Sequence, residues 1–143
     1  MSKSGFSSLD KSMQKTKEWL HDVQDELEWE DEKKVYIAFK AVIQTLRDRL
    51  PVEEAIELGD ELPMVMKGIY YDGYTPRRKP EKIKNQAQFF QKVQEKSALS
   101  KTWGLVVKKF FLGLNFRISS ISSLSISFSW IYFFMIFLKF LSA

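Results

Sequence analysis

The run Val35-Tyr36-Ile37-Ala38-Phe39-Lys40-Ala41-Val42-Ile43-Gln44-Thr45-Leu46-Arg47-Asp48-Arg49-Leu50-Pro51 carries the clearest pattern in the chain. Val35, Ala38, Phe39, Val42, Ile43, Leu46 and Leu50 recur three and four residues apart, the spacing that stacks side chains on one face of an α-helix. Lys40, Gln44, Arg47 and Asp48 fall between them and are expected on the outer face. Asp31 and Glu32 stand at the start, where carboxylates favour the positive end of the helix dipole. Pro51 ends the helix, because proline has no N–H to donate and its ring clashes with the preceding turn.

Working outward, Leu9, Met13, Thr16, Leu20, Val23 and Leu27 alternate steps of four and three and predict an earlier helix with that stripe inward. Downstream, Pro51 suits the first residue of a third helix, with Glu53 and Glu54 in its first turn and Val52, Ala55, Ile56 and Leu62 facing the core. Pro63 repeats the device for a short fourth helix, whose apolar side is Val65, Met66, Ile69 and Tyr70, and Asp72-Gly73 marks a turn. Thr75 to Asn85 then sets Pro76 and Pro80 among Arg77, Arg78, Lys79, Lys82 and Lys84, a composition that resists regular structure.

Shifted by about seventy residues, Glu18-Trp19-Leu20-His21-Asp22-Val23-Gln24-Asp25 lies over Gln88-Phe89-Phe90-Gln91-Lys92-Val93-Gln94-Glu95, so two aromatic-led helices open two similar units. An equivalent of the 35–50 helix is due near Leu105, but the residue match dissolves there and no second Leu-Pro follows. The reading is an all-α fold: a small helical domain of two related segments, the second incomplete, followed by a hydrophobic tail. Residues 1–74 form the first segment, 75–86 a basic linker, 87–117 the start of the second, and 118–141 the tail.

These residues resemble a bacterial family of unknown function, the domain-of-unknown-function family 2267. The resemblance covers Thr16 to Lys96 and rests on Ala38 to Leu50, on Leu62-Pro63, on Lys67-Gly68-Ile69-Tyr70-Tyr71-Asp72-Gly73-Tyr74-Thr75-Pro76, and on Phe89 with Val93. Its specific part is Tyr-Tyr-Asp-Gly followed by an aromatic residue and a nearby proline. It implies a helical fold of two related segments and brings with it no catalytic residue, ligand or partner. After Ala98 the chain departs from the family pattern, which would continue with polar-patterned helices.

A chain of 143 residues suits one domain with its own core. The absence of cysteine excludes disulfides, thiolate metal sites and thiol nucleophiles. Met1 to Asp10 lacks the apolar stretch of a signal peptide, so residues 1–100 are expected in the cytoplasm. Charge is unevenly spread: Met1 to Leu62 holds 9 basic and 15 acidic residues, and Pro63 to Ala143 holds 13 and 3. Such a split suits a basic surface for anionic lipid or nucleic acid, or one half neutralising the other.

The tail admits three readings. Ile118 to Leu138 is uncharged between Arg117 and Lys139, long enough for a membrane helix, with Ile118, Trp130, Phe133, Phe134, Phe137 and Leu138 as its apolar contacts. Seven serines weaken its first half, and Leu124, Ile126, Phe128 and Trp130 alternate with serine in the period of a strand. The third reading is an out-of-frame translation, since acidic residues and the family pattern vanish together.

Candidate chemistry is sparse. Glu18 and His21 have the Glu-x-x-His spacing of di-iron bundles, but the repeat offers Gln88 and Gln91, so no metal site is expected. His21 is the only histidine, no Gly-x-Ser-x-Gly elbow exists, and the six glycines are too scattered to cradle a phosphate. The acidic cluster Asp25, Glu26, Glu28, Glu30, Asp31 and Glu32 lacks the order of a calcium loop and reads as a solvated helix end.

Tyr70, Tyr71, Asp72 and Tyr74, beside Arg77, Arg78 and Lys79, are the candidate interaction residues. Packing of the two segments is the competing role for the phenols. Tyr74 and Phe89 flank the basic run as stacking surfaces, were nucleic acid to bind there. The expectation is no enzyme and no cofactor, but a module that binds another protein. A membrane-tethered form anchored by the tail, and weak nucleic-acid binding through the basic linker, are the alternatives.

Overall fold

The computed structural model describes residues 5–110, and every regular element among them is a helix. The order is α1 (Ser7–Leu27), α2 (Glu32–Arg49), α3 (Val52–Asp60), α4 (Met64–Tyr71) and α5 (Gln86–Ser97), with residues 103–110 helical as α6. The tail at 118–141, with Ile118, Trp130, Phe133, Phe134, Phe137 and Leu138, lies outside the described residues. Among the described residues no helix is long and apolar enough to cross a membrane.

Local chemistry sets the boundaries. The Asp31 carboxylate accepts the N–H groups of Lys33 and Lys34 at 3.0 and 3.3 Å, capping α2 where the dipole is positive. Pro51 and Pro63 stand just before α3 and α4, and each carbonyl accepts the first helical bond, from Ala55 and Lys67. Asn85 accepts the N–H of Gln88 at 2.9 Å, while the Gln88 side chain accepts that of Lys84 at 2.7 Å, a reciprocal clasp at the head of α5.

α2 is the axis of the fold, with α1, α4 and α5 all packed against it. Its predicted stripe is buried throughout: Val35, Ala38, Phe39, Val42, Ile43, Leu46 and Leu50. The predicted outer face is not outside. Gln44, Arg47 and Asp48 are buried, and Lys40 alone of the four keeps substantial exposure, because helices on several sides leave α2 no solvent side from Ala41 to Asp48. α1 keeps the second half of its expected stripe, with Leu20 only partly buried and Trp19 added beside it. Its core contacts are Thr16, Trp19, Val23 and Leu27, while Leu9 and Met13 are 49% and 45% exposed on the half of the helix that precedes the core. In α3, Ala55 and Leu58 are buried and Ile56 is exposed, a shift in the face expected from spacing.

The ends of α1 and α5 correspond in detail. Trp19, Val23 and Leu27 are buried in one and Phe89, Val93 and Ser97 in the other, each pair seventy residues apart. Both helices close on a left-handed residue, Glu28 at φ 57° and Ala98 at φ 54°. The echo does not stop structurally where the residues cease to align. α6 begins at Trp103, buries Trp103, Val106, Val107 and Phe110, and sets Phe110 5.3 Å from Phe39 of α2.

Two helical glycines have opposite surroundings. The phenol end of Tyr71 lies against Gly59 of α3, where a Cβ would overlap it, whereas a Cβ on Gly68 of α4 meets nothing. Gly59→Ala is therefore expected to lower unfolding free energy by about 1–3 kcal/mol. Gly68→Ala is expected to raise it by roughly 0.5–1 kcal/mol, both read by urea denaturation.

Candidate functional site

The buried polar side of α2 receives the end of α4. Lys40, Gln44 and Arg47 follow one another at i, i+4 and i+7, so they line one stripe. Gln44 Nε2 donates to the Ile69 carbonyl at 2.9 Å and to that of Asp72 at 3.4 Å. Arg47 donates to the carbonyls of Tyr70 at 2.7 Å and Asp72 at 2.9 Å, and Lys40 pairs with the Asp72 carboxylate at 3.6 Å. Carbonyls left over at a helix C-terminus need donors, and a cation there opposes the negative end of the dipole. Gly73, at φ 73°, turns the chain so that the Tyr74 ring lies under the Arg47 guanidinium, 5.0 Å from ring centroid to Cζ.

Asp48 extends the network to the opposite flank. Arg47 Nε donates to its carboxylate at 2.9 Å, and both side chains are about 95% buried. Lys96, at the end of α5, reaches the other oxygen at 2.7 Å, and Lys79 approaches at 3.3 Å while also pairing with Glu81 at 3.0 Å. The Asp48 carbonyl accepts the Glu81 N–H at 2.8 Å, Arg49 Nε donates to the Ile83 carbonyl at 3.3 Å, and Ile83 is buried. The basic stretch after Tyr74 is thus stitched to the last turn of α2. Burial pushes the Asp48 carboxyl up, but hydrogen bonds and charge from Arg47 and Lys96 outweigh it and hold the group below its ordinary value. Burial lowers Lys79, and Glu81 and Asp48 more than reverse this, leaving it raised.

The candidate interaction residues therefore separate into two sets. Tyr70 is fully buried, its hydroxyl donating to the Ala55 carbonyl at 2.6 Å, and burial pushes the phenol far above its ordinary range. Tyr71 lies edge-on to Tyr70 against α3, and its phenol is raised by burial and by Asp60. Tyr74 is half-buried beneath Arg47, with no hydrogen-bond partner for its hydroxyl among the described residues. Lys79 points inward. Only Asp72, Arg77 and Arg78 of the set are exposed.

Phe89, one of the two expected stacking surfaces, is at 0% exposure in the core. His21 is exposed, with Nδ1 3.3 Å from Gln24 Oε1, and no group of three metal-binding side chains comes together among the described residues. Spacing puts Gln44, Arg47 and Asp48 on an outer face and gives Lys96 and Ile83 no role, so none of the five is expected at this site. The usable signal was Ile83 itself, the one large apolar residue in a basic run, which marks where that run touches the core.

The Asp48 pKa is lower in the folded chain than in the unfolded one, so its contribution to stability is present above the unfolded value of about 3.9 and lost as pH falls through the folded value. Asp48→Asn leaves Arg47 and Lys79 without their shared anion and is expected to cost about 3 kcal/mol at neutral pH. Urea denaturation followed by circular dichroism should show that deficit shrinking below about pH 4, where wild type loses its advantage. A deficit independent of pH would contradict the ionic role.

A search of curated proteins finds no match to this chain. One family profile matches, described as an uncharacterized conserved protein, and its matched residues, 16–119, begin where α1 first becomes buried and continue through α6, beyond Lys96. The Tyr-Tyr-Asp-Gly turn, the α2 stripe that receives it and the basic loop all lie inside that stretch, and the chain belongs to this family, DUF2267.

Proposed function

We propose that this chain is a non-catalytic protein-interaction module whose contact surface is the outer rim of the 75–85 loop. The observation that carries the reading is a division of labour among the polar groups. Arg47, Asp48, Lys79 and Tyr70 are consumed inside, holding helices together. Arg77, Arg78, Lys82 and Lys84 are exposed with no ion pair among the described residues, on a loop whose backbone is tied to α2. A loop held in place presents its cations without the ordering cost that a flexible segment carries on binding.

An acidic protein surface fits this rim better than nucleic acid. The chain holds 22 basic and 18 acidic side chains, a net charge of +4 spread over 143 residues, which offers only modest long-range attraction to a polyphosphate. The aromatic surfaces that would stack on bases are withdrawn, Phe89 into the core and Tyr74 beneath Arg47.

Immobilised full-length protein should retain a defined partner from extracts of its own cells, and Arg77→Ala/Arg78→Ala should reduce that retention about tenfold or more, as should about 0.5 M salt. Retention that ignores both changes would contradict the reading.

A further inference from the structure

We infer that the acidic partner of this loop is a second copy of the same chain, docking head to tail. This rests on the interaction-module reading and names its partner. Residues 25–34 hold Asp25, Glu26, Glu28, Glu30, Asp31 and Glu32 against Lys33 and Lys34, a net charge of −4. Residues 77–84 hold Arg77, Arg78, Lys79, Lys82 and Lys84 against Glu81, a net charge of +4. All six carboxylate residues of the first group are exposed, and none makes an ion pair among the described residues.

α2 places these two groups at opposite ends. Asp31 caps its start, and the 79–83 stretch is tied to Asp48 and Arg49 at its finish. Seventeen residues of helix separate the two anchor points, about 26 Å at 1.5 Å per residue. The screening length at 0.1 M salt is about 10 Å, so within one molecule the poles cannot neutralise each other. Between molecules they are opposite in sign and equal in magnitude. The two patches are different surfaces, so the interface is heterologous, and each bound copy leaves one acidic and one basic pole open for the next.

Sedimentation of the purified full-length chain tests this without any other protein present. Average mass should rise with concentration at about 0.05 M salt and return to monomer at about 0.5 M. Arg77→Glu/Arg78→Glu alone and Glu26→Lys/Glu30→Lys alone should each stay monomeric, with helix content unchanged by circular dichroism. Lys82→Glu/Lys84→Glu should reproduce the first result from the other end of the loop. An equimolar mixture of the Arg77/Arg78 and Glu26/Glu30 variants should associate although neither does alone, since the intact acidic pole of the first meets the intact basic loop of the second. A monomer under all conditions would overturn the inference, as would self-association indifferent to every reversal or a monomer that binds a poly(U) RNA probe through the loop. Loss of partner retention in Arg77→Ala/Arg78→Ala is measured separately, so the module reading stands or falls on its own experiment.

Discussion

A carboxylate and a guanidinium on consecutive residues in the buried last turn of a helix must be matched on every side, and this requirement organises the domain. Arg47 and Asp48 point their polar atoms away from α2 in two directions. The guanidinium turns to the carbonyls at the end of α4, and the carboxylate to Lys96 of α5 and Lys79 of the loop. Taking either ion out of water is costly by itself, and the cost is offset only when the partners arrive in the right geometry. The pair therefore contributes less to raw stability than to the choice of one arrangement of α4, loop and α5 over others of similar apolar burial.

The most specific residues of the chain take on a structural meaning in this light. Tyr70 ties α4 to α3 through the Ala55 carbonyl, Gly73 supplies the left-handed turn, and Asp72 offers both its carbonyl and its carboxylate to α2. Each of these groups is engaged in holding α4 to its neighbours, and the charged groups left exposed are anchored near the two ends of α2.

The sequence was most readable where one period governed the outcome. The apolar stripe of α2, its acidic cap and both proline boundaries follow from local chemistry that operates whatever the rest of the chain does. The burial of Gln44, Arg47 and Asp48 did not follow, because polar residues on the side opposite an apolar stripe normally face water. Only the arrival of α4, the loop and α5 on that side reverses the expectation. α1 shows the same limit: Trp19 and Leu20 are neighbours, and which of them is buried more deeply depends on where α2 lies. α6 was obscured for another reason, since its helix forms although its residues no longer align with those of α2.

Residue-resolved hydrogen exchange on the wild-type chain and Asp48→Asn tests the organising role of the buried pair most directly. If the pair binds separate segments into one unit, protection should fall together at the amides of Glu81 and Ile83 in the loop, at Ala98 closing α5, and, through Arg47, at Asp72 and Tyr74 beyond α4. Loss confined to the Glu81 amide, which bonds the Asp48 carbonyl itself, would show that the segments hold their places without the ion pair and would contradict the account.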